Sequence, residues 1–551
     1  MKPFKFVLFL LLMLLLWMPL AQQYTGYFTE PTLNGAFVLP TKPIFSVDSV
    51  KTFQYQKHLE NYLNYNFGFR GLFVKIKNSF EYLFWKEIPV EDNIEGLDGY
   101  IFSKGSINRS IGVDYNGKET NKKTIERIRF LKDGLEKHGA HLVVVMAPSK
   151  ECVFSEKIPS VYYNQFKSRN DYMDLIDGYK NSNIPYIDFC SYFRKINDTS
   201  RYALFTKTGF HWSTYGASVA HDSLIQFLTK YISKPMPSYV REGVEWSDTA
   251  RLSDNDFESP MNLLFKLDSK PYVYPKLKIV ESSRKNFRPK VIIIGDSFFW
   301  QLKNQKMMMN IFTDDSKFWF YFATTSFPIG DVAGVPLKNI DIMQELQNAD
   351  LVLLFSSMGT LKTFPFGVTD YYYDNVSSAS VLESLKDYIQ TQPNWLKNLG
   401  KLSVTSKKTL AEIITNEAKQ ICRDKIFFNL KAVNNKYIST DRNLKNELIA
   451  DRDHAWAWET FSLYTLENNQ CIIRADVGNY LSIDTRNKNK IVATTNGIKA
   501  EEIFTLIKLK NNAIALKASN GRYLSFDSKS LQLFANSNSI GVSEKFVLTN
   551  Q

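Results

Sequence analysis

Cysteine and histidine are both scarce in this chain of 551 residues, four of one and six of the other. Cys152, Cys190, Cys422 and Cys471 form no Cys-x-x-Cys pair and show no metal-ligand spacing, which argues against a zinc site or any other metal centre. No RNP sequence, zinc-finger spacing or recognition-helix signature occurs, and no nucleic-acid partner is expected. The lysines are spread through amphipathic segments, so the net charge of +12 reads first as solvated faces. An acidic glycan or a phospholipid surface would also suit that charge. Apolar residues make up 44% of the chain and aromatics 14%, which excludes global disorder. The length is too great for one ordinary core and predicts two or three domains. Cys152 and Cys190 each follow a predicted parallel strand, so a bridge between them is geometrically conceivable.

Lys2 and Lys5 precede an apolar run from Phe6 to Ala21, the form of an export signal. Pro19-Leu20-Ala21 would put proline at the minus-three position of a cleavage site, so a retained anchor is expected in preference to cleavage. The positive-inside rule then puts everything beyond residue ~25 outside the cytoplasm.

From 50 to 90 the spacing of Tyr55, Leu59, Tyr62 and Leu63, then Leu72, Ile76, Phe80 and Leu83, predicts helices broken by the two glycines of NYNFGFRG, 64–71. A strand or turn is expected at GLDGYIF, 96–102, and a charged helix over 120–138. The apolar runs AHLVVVMAPSK (140–150), IPYIDF (184–189), KVIIIGDS (290–297), FWFYFATT (317–324) and ADLVLLFSS (349–357) read as strands of a parallel sheet. Helical stretches between them, including 213–231 and 340–348, argue for a doubly wound α/β domain with its active residues at the carboxyl ends of the strands. Further helices are expected at 377–389 and 408–423.

The chain then changes character. LKAVNNKYIS (430–439), IRADVGNYLS (473–482) and LKASNGRYLS (516–525) are three copies of one unit, with Tyr437, Tyr480 and Tyr523 at a spacing of 43 residues. Ala450, Ala493 and Ala535, and Phe461, Phe504 and Phe546, echo the repeat. Such units predict a threefold all-β domain, since one unit alone cannot bury its apolar face. The segment 426–551 resembles the fascin-like β-trefoil family in its small residues, its Tyr-Leu-Ser strands and the single intact Trp458-Glu459-Thr460-Phe461. Most of the repeated Tyr and Phe side chains are expected in the barrel core. Trp456 and Trp458 are candidates for contact with carbohydrate, by fold analogy.

Ser297 stands at the end of the strand VIIIG, where it is either a nucleophile or a helix cap. A hydroxyl needs a neighbouring imidazole to become nucleophilic at neutral pH, and His211 in TKTGFHWSTYGA (206–217) is the candidate base, with Ser213 as the N-cap of the helix that follows. The backbone N–H of Ser297 is expected in an oxyanion hole. Ser356 and Ser357, at the end of LVLLFSS, are candidates for the same neighbourhood, and Lys150 for meeting either an acidic sugar or solvent.

In the order NFGFRG, GLDGYIF, VVVMAPSK, TGFHW and VIIIGDSFF, residues 20–425 resemble the SGNH hydrolase-like O-acetyltransferases of the alginate acetylation (AlgX/AlgJ-like) type, which acetylate exopolysaccharides outside the cytoplasmic membrane. The His-Trp loop preceding the GDS serine favours this family over ordinary SGNH esterases, whose order is reversed. The resemblance implies that Ser297 receives the acetyl group and that His211 is its base, with Trp212 beside it. It departs at Gly209, where the family pattern has the aspartate of Asp-x-His-Trp. Three readings follow: a Ser-His dyad, an acid supplied from elsewhere, or a site that binds glycan without turnover. Asp296 is too near the nucleophile for a comfortable orienting role, and Asp188 is a second strand-end candidate.

The expected organisation is a signal anchor over 1–24, a helical extension packing on the catalytic domain over 25–100, an SGNH-like α/β domain over 101–375, a helical linker region over 376–425 and the trefoil over 426–551. No cofactor is implied. In the resembled systems a membrane-bound O-acyltransferase supplies the acetyl groups, and a polysaccharide takes them. Two alternatives share the sequence evidence: a carbohydrate acetylesterase using the same pair, and a non-catalytic glycan-binding scaffold.

Overall fold

The computed structural model describes all residues except 1, 36–38, 282–285, 327–333, 442–443, 456–458, 476–477, 511 and 550–551. The chain divides into two compact units, 1–369 and 370–551.

The first unit is built on a seven-stranded sheet. Its strands are β1 (His141–Met146), β2 (Tyr186–Asp188), β3 (Val291–Gly295), β4 (Lys317–Phe320), β5 (Thr324–Thr325), β6 (Val335–Pro336) and β7 (Leu351–Ser356). They lie in the order β6-β5-β4-β3-β7-β1-β2. The five strands from β4 to β2 run parallel, and β5 and β6 add an antiparallel edge. Branched runs in β1, β3 and β7 are buried on both faces, as parallel strands require. Each such side chain contributes roughly 1.5–3 kcal/mol relative to exposure. Gly295 pairs with Phe355, and Ser356 with Met146, so the carboxyl ends of β3, β7 and β1 come level at one edge.

The strand expected over 317–324 stops at Phe320. Tyr321 and Phe322 take φ of 49° and 53° and turn the chain into β5. An antiparallel hairpin, Ser238–Ser247 with Tyr272–Val280, had no clear signal in the sequence. Cys152 and Cys190 are bridged, with Cα atoms 5.9 Å apart, which ties the segment after β1 to the helix Phe189–Ile196 after β2.

Helix α1 (Lys2–Thr25) contains a 22-residue stretch, Phe4–Thr25, long and apolar enough to cross a membrane. The helical region that follows resolves into α2 (Gln54–Asn66) and α3 (Arg70–Trp85). Their break has a direct cause. Phe69 has φ of 62°, and a Cβ on Gly68 would collide with the Pro19 carbonyl and come 2.8 Å from the Gln23 nitrogen at the end of α1.

In the second unit, the region expected as a helical linker packs as a helical layer. Helices α6 (Val368–Gln390), α7 (Pro393–Ser406) and α8 (Leu410–Arg423) bury Leu385, Trp395 and Ile414 against Tyr464, Ile472 and Ile503 of the β domain. Six strands there close a barrel: Ile426–Lys431, Thr460–Thr465, Gln470–Ala475, Phe504–Lys508, Ala513–Ala518 and Phe546–Thr549, with the last pairing back to the first. The remaining strands form three hairpins over 437–452, 480–495 and 523–537, joined by contacts such as Glu447 to Val492 and Lys490 to Phe534. Phe461, Phe504 and Phe546 fill the barrel core as expected. The tyrosines do not. Tyr480 is buried under the helices, while Tyr437 and Tyr523 are half-buried, with Lys431 and Lys517 over their rings.

Candidate active site

Ser297 follows β3 at the point where the chain turns into helix α5 (Phe298–Asn304). Gly295 is needed just before it, because a Cβ there would lie 2.8 Å from both the Cβ and the carbonyl oxygen of Phe355. Its absence lets β3 and β7 close up beneath the turn. Although Ser297 occupies the N-cap position, its hydroxyl makes no capping bond. That hydroxyl lies 2.9 Å from His211 Nε2.

His211 comes from the loop before helix α4 (Thr214–Ile232), whose N-terminus is capped by Ser213 through a bond from Gly216 N. The imidazole is wedged against the rings of Phe298 and Phe210, at 4.7 and 5.0 Å between centroids. Beside it, Trp212 is fully buried among Phe189, Phe193, Phe298 and Phe355. Its supporting role is therefore packing: it fixes the backbone from which His211 projects.

No acid stands at position 209, and the carboxylate that meets the imidazole is that of Asp256. His211 Nδ1 is 2.5 Å from Asp256 Oδ2, and the other carboxylate oxygen accepts the N–H of Phe210 at 2.5 Å. An ionised carboxylate only accepts, so Nδ1 carries a proton, and in the neutral imidazole Nε2 then faces Ser297 with its lone pair. Gly209 itself has no room for a side chain: a Cβ there would stand 2.5 Å from Thr206 Oγ1 and 2.9 Å from the Asp254 carbonyl. The 251–258 segment that fills this space is held by Phe257 N to Thr208 O at 3.0 Å, and by Asp254, which accepts from Thr214 N and Oγ1 at 2.9 and 2.7 Å. Burial pushes the Asp254 carboxyl up to about 6. The only hint in the sequence was a run of aspartates at 248, 254 and 256 in a stretch without periodicity.

Several candidates have other occupations. Asp296, fully buried, accepts from Phe298 N at 3.0 Å, Ser357 N at 2.7 Å and Thr360 Oγ1 at 2.6 Å. It pins the turn after β3 to the turn after β7 and makes no bond to the imidazole. Asp188 lies at the end of β2, three strands away, where it caps the following helix through Ser191 N at 3.1 Å and accepts Tyr172 Oη at 2.8 Å. Ser356 and Ser357 are buried, with the Ser356 hydroxyl spent on Ser357 O and Thr360 Oγ1 at 3.0 and 2.9 Å.

Lys150 meets neither sugar nor solvent. It is 1% exposed, and its Nζ donates to Lys207 O at 2.8 Å and Ile101 O at 3.1 Å, with the Phe257 ring 5.2 Å away. It thus clamps the start of the histidine loop from below. Loss of water pushes its ammonium down to about 7, opposed by the charges of Glu151 and Asp256. Trp456 and Trp458 lie outside the described residues.

A residue with no sequence signal completes the site. Tyr321, on the left-handed turn after β4, lies near Ser297. Burial raises its pKa, as does the nearby Asp296 charge, with the Ser297 donors opposing them. Among the described residues no cluster of His, Cys, Asp or Glu is arranged to hold a metal ion.

Comparison with known families matches residues 94–251 to the SGNH hydrolase-like domain of acetyltransferase AlgX, and residues 424–545 to a domain of unknown function. The first match includes His211 and ends before Asp256 and Ser297. No curated protein matches the chain. Among solved structures, the O-acetyltransferase domain of Pseudomonas putida AlgJ is similar over 49% of this chain and 92% of its own, at 16% identity and a TM-score of 0.31. The designed threefold-symmetric protein ThreeFoil is similar over 23% of this chain and 99% of its own, at 14% identity and a TM-score of 0.21. A Polyporus squamosus lectin is similar over 23% of this chain and 49% of its own, at 10% identity and a TM-score of 0.21.

Proposed function

We propose that the chain is an O-acetyltransferase that carries acetyl on Ser297 and passes it to hydroxyls of an extracytoplasmic polysaccharide. The observation that carries this reading is the line of Ser297 Oγ, His211 and Asp256, at 2.9 and 2.5 Å. The match of residues 94–251 to an acetyltransferase domain supports the reaction class.

In the first half-reaction His211 Nε2 takes the Ser297 proton as Oγ attacks the carbonyl carbon of an acetyl donor. Asp256 holds the tautomer that leaves Nε2 free and stabilises the imidazolium. In this reading the Ser297 N–H donates to the oxyanion, and the hydroxyl of the neighbouring Tyr321 is assigned as the second donor. The donor's leaving group departs with the proton from Nε2, and Ser297 is left acetylated. In the second half, Nε2 takes the proton of a sugar hydroxyl as its oxygen attacks the acetyl carbon, then returns it to Ser297 Oγ.

The N-terminal helix, with its apolar run at 6–21, serves as the membrane anchor in this reading, and a membrane-bound O-acyltransferase is the partner that brings acetyl groups across. The barrel with its three hairpins is read as a β-trefoil that holds the glycan.

The test uses the full chain in detergent with an activated acetyl ester, with and without candidate oligosaccharides, comparing the native protein with Ser297→Ala and His211→Ala. Acceptor-dependent transfer that vanishes in both variants supports the proposal. Release to water regardless of acceptor would make the protein an esterase. Equal behaviour of all three proteins would leave a glycan-binding scaffold.

A further inference from the structure

Helix α3 is amphipathic in the reverse sense to a helix docked on a soluble core. Its protein-facing side is small and polar: Gly71, Asn78 and Ser79 are buried there with Tyr82. Asn78 Nδ2 donates to Met261 O at 2.7 Å, and Ser79 Oγ accepts Leu264 N at 2.9 Å. The opposite side carries Phe73, Ile76, Phe80, Leu83, Phe84 and Trp85, all exposed, with Leu83 at 58%, Trp85 at 63% and Phe84 at 68%. The spacing of the first five is that of one helix stripe. The rings of Phe80, Phe84 and Trp85 pack on one another, with 4.5 Å between Phe80 and Phe84 and 5.1 Å between Phe80 and Trp85, so the patch is contiguous. A patch of this kind is costly on a water-facing surface and marks a contact.

We infer that this stripe lies in the interface of a lipid bilayer, as a second membrane contact beside α1. Three observations single out that occupant. The patch is continuous with the chain's one described candidate span, because the last turns of α1 pack against Gly68 at the corner between α2 and α3. The segment leaving α1 is tied to the same corner, where Glu30 accepts Phe69 N at 2.5 Å and Gly71 N at 3.3 Å and Phe28 meets the Phe69 ring. Its composition also fits: aromatics and leucine gather on one side, with Lys77 at the margin paired to Glu81 at 2.7 Å, the pattern of a helix lying at the headgroup level.

The consequence reaches the candidate site. Met261 and Leu264, held by Asn78 and Ser79, lie five and eight residues beyond Asp256 on the same segment. A helix settled on the bilayer would therefore fix the histidine–acid loop relative to the membrane. The inference rests on the reading of α1 as a retained anchor, and its test distinguishes the two.

The full chain is reconstituted in phosphatidylcholine vesicles, with and without phosphatidylglycerol, carrying a photoreactive benzoylphenylalanine at one position: Leu11 in α1, Phe80 or Phe84 in α3, or the exposed Phe166 elsewhere in the unit. Lipid adducts at 80 and 84 well above those at 166 are expected in both vesicle compositions. Adducts at 11 but not above the level of 166 at 80 and 84 would overturn the inference and leave the anchor intact. Cross-linked pairs of the chain through 80 or 84, in place of lipid adducts, would also overturn it and assign the stripe to a second copy. Labelling at 80 and 84 with none at 11 would dismiss the anchor and with it the inference as stated, since the stripe would then not be a second contact beside α1.

Discussion

His211 Nδ1 meets Asp256 Oδ2 at 2.5 Å although 45 residues separate them in the chain. The pairing turns a serine–histidine contact into an oriented triad, because the carboxylate dictates which ring nitrogen bears the proton. Asp256→Asn is expected to keep the fold and the Phe210 backbone bond while lowering kcat by about 10³- to 10⁴-fold, as the wrong tautomer becomes available. Steady-state kinetics with an activated acetyl ester measure it, and a loss below about tenfold would dismiss Asp256 from the site.

Restoring an aspartate at the position where the resembled family carries one should not help. The Cβ of Gly209→Asp would press on Thr206 Oγ1 at 2.5 Å and the Asp254 carbonyl at 2.9 Å. Overpacking of this kind costs about 1–3 kcal/mol. The double variant Gly209→Asp with Asp256→Ala is therefore expected to melt earlier than Asp256→Ala and to recover no activity. Rescue of turnover would mean that the 251–258 segment can yield.

These two residues also mark where the sequence ceased to be legible. Ser297 and His211 could be found because each sits at a boundary with strong local chemistry: a branched strand ending in Gly-Asp-Ser, and a histidine before a capped helix. Asp256 had no such frame. It lies on irregular chain whose course is set by long-range bonds, Phe257 N to Thr208 O among them, and no periodicity encodes those. The burial of Lys150 is illegible for a related reason. A lysine after a strand is usually solvated, and its burial depends on two carbonyls, of Ile101 and Lys207, from distant segments. In α3 the helical period was plain, but the period alone does not say which face the protein keeps.

Reduction should loosen the edge of the sheet beyond β1. The Cys152–Cys190 bridge closes a loop with a sequence separation of 38, for which chain entropy alone predicts about 4 kcal/mol of stabilisation. Replacing both cysteines with serine is expected to lower the melting temperature of the first unit and to leave that of the second unchanged. Differential scanning calorimetry of the full chain in the two forms checks this, and an unchanged first transition would contradict it.

Tyr321→Phe removes the hydroxyl proposed as the second oxyanion donor, on the turn near Ser297. Loss of one oxyanion donor costs about 10²- to 10³-fold in kcat. A fall of about that size with little change in KM is expected, since the bond strengthens only as charge develops on the acetyl oxygen. A change confined to KM would make Tyr321 a binding residue instead.

Lys150 makes stability depend on pH in a direction opposite to that of a solvated salt bridge. Burial lowers its pKa from the usual 10.5 to about 7, so the folded chain holds fewer protons than the unfolded chain between those values. Stability therefore rises with pH across that window. Below about 7 the ammonium is charged in both states and the whole cost of burying it is present; above 10.5 that cost is gone. Lys150→Met lacks the titration but leaves the Ile101 and Lys207 carbonyls without their donor, a loss of about 1–3 kcal/mol that does not vary with pH. The melting temperature of the variant relative to the native protein is thus expected to be most favourable near pH 6.5 and to decline steadily towards pH 9.5. A difference that stays flat over that range would mean that Lys150 keeps its proton in the fold, held by Asp256 and Glu151 against the loss of water.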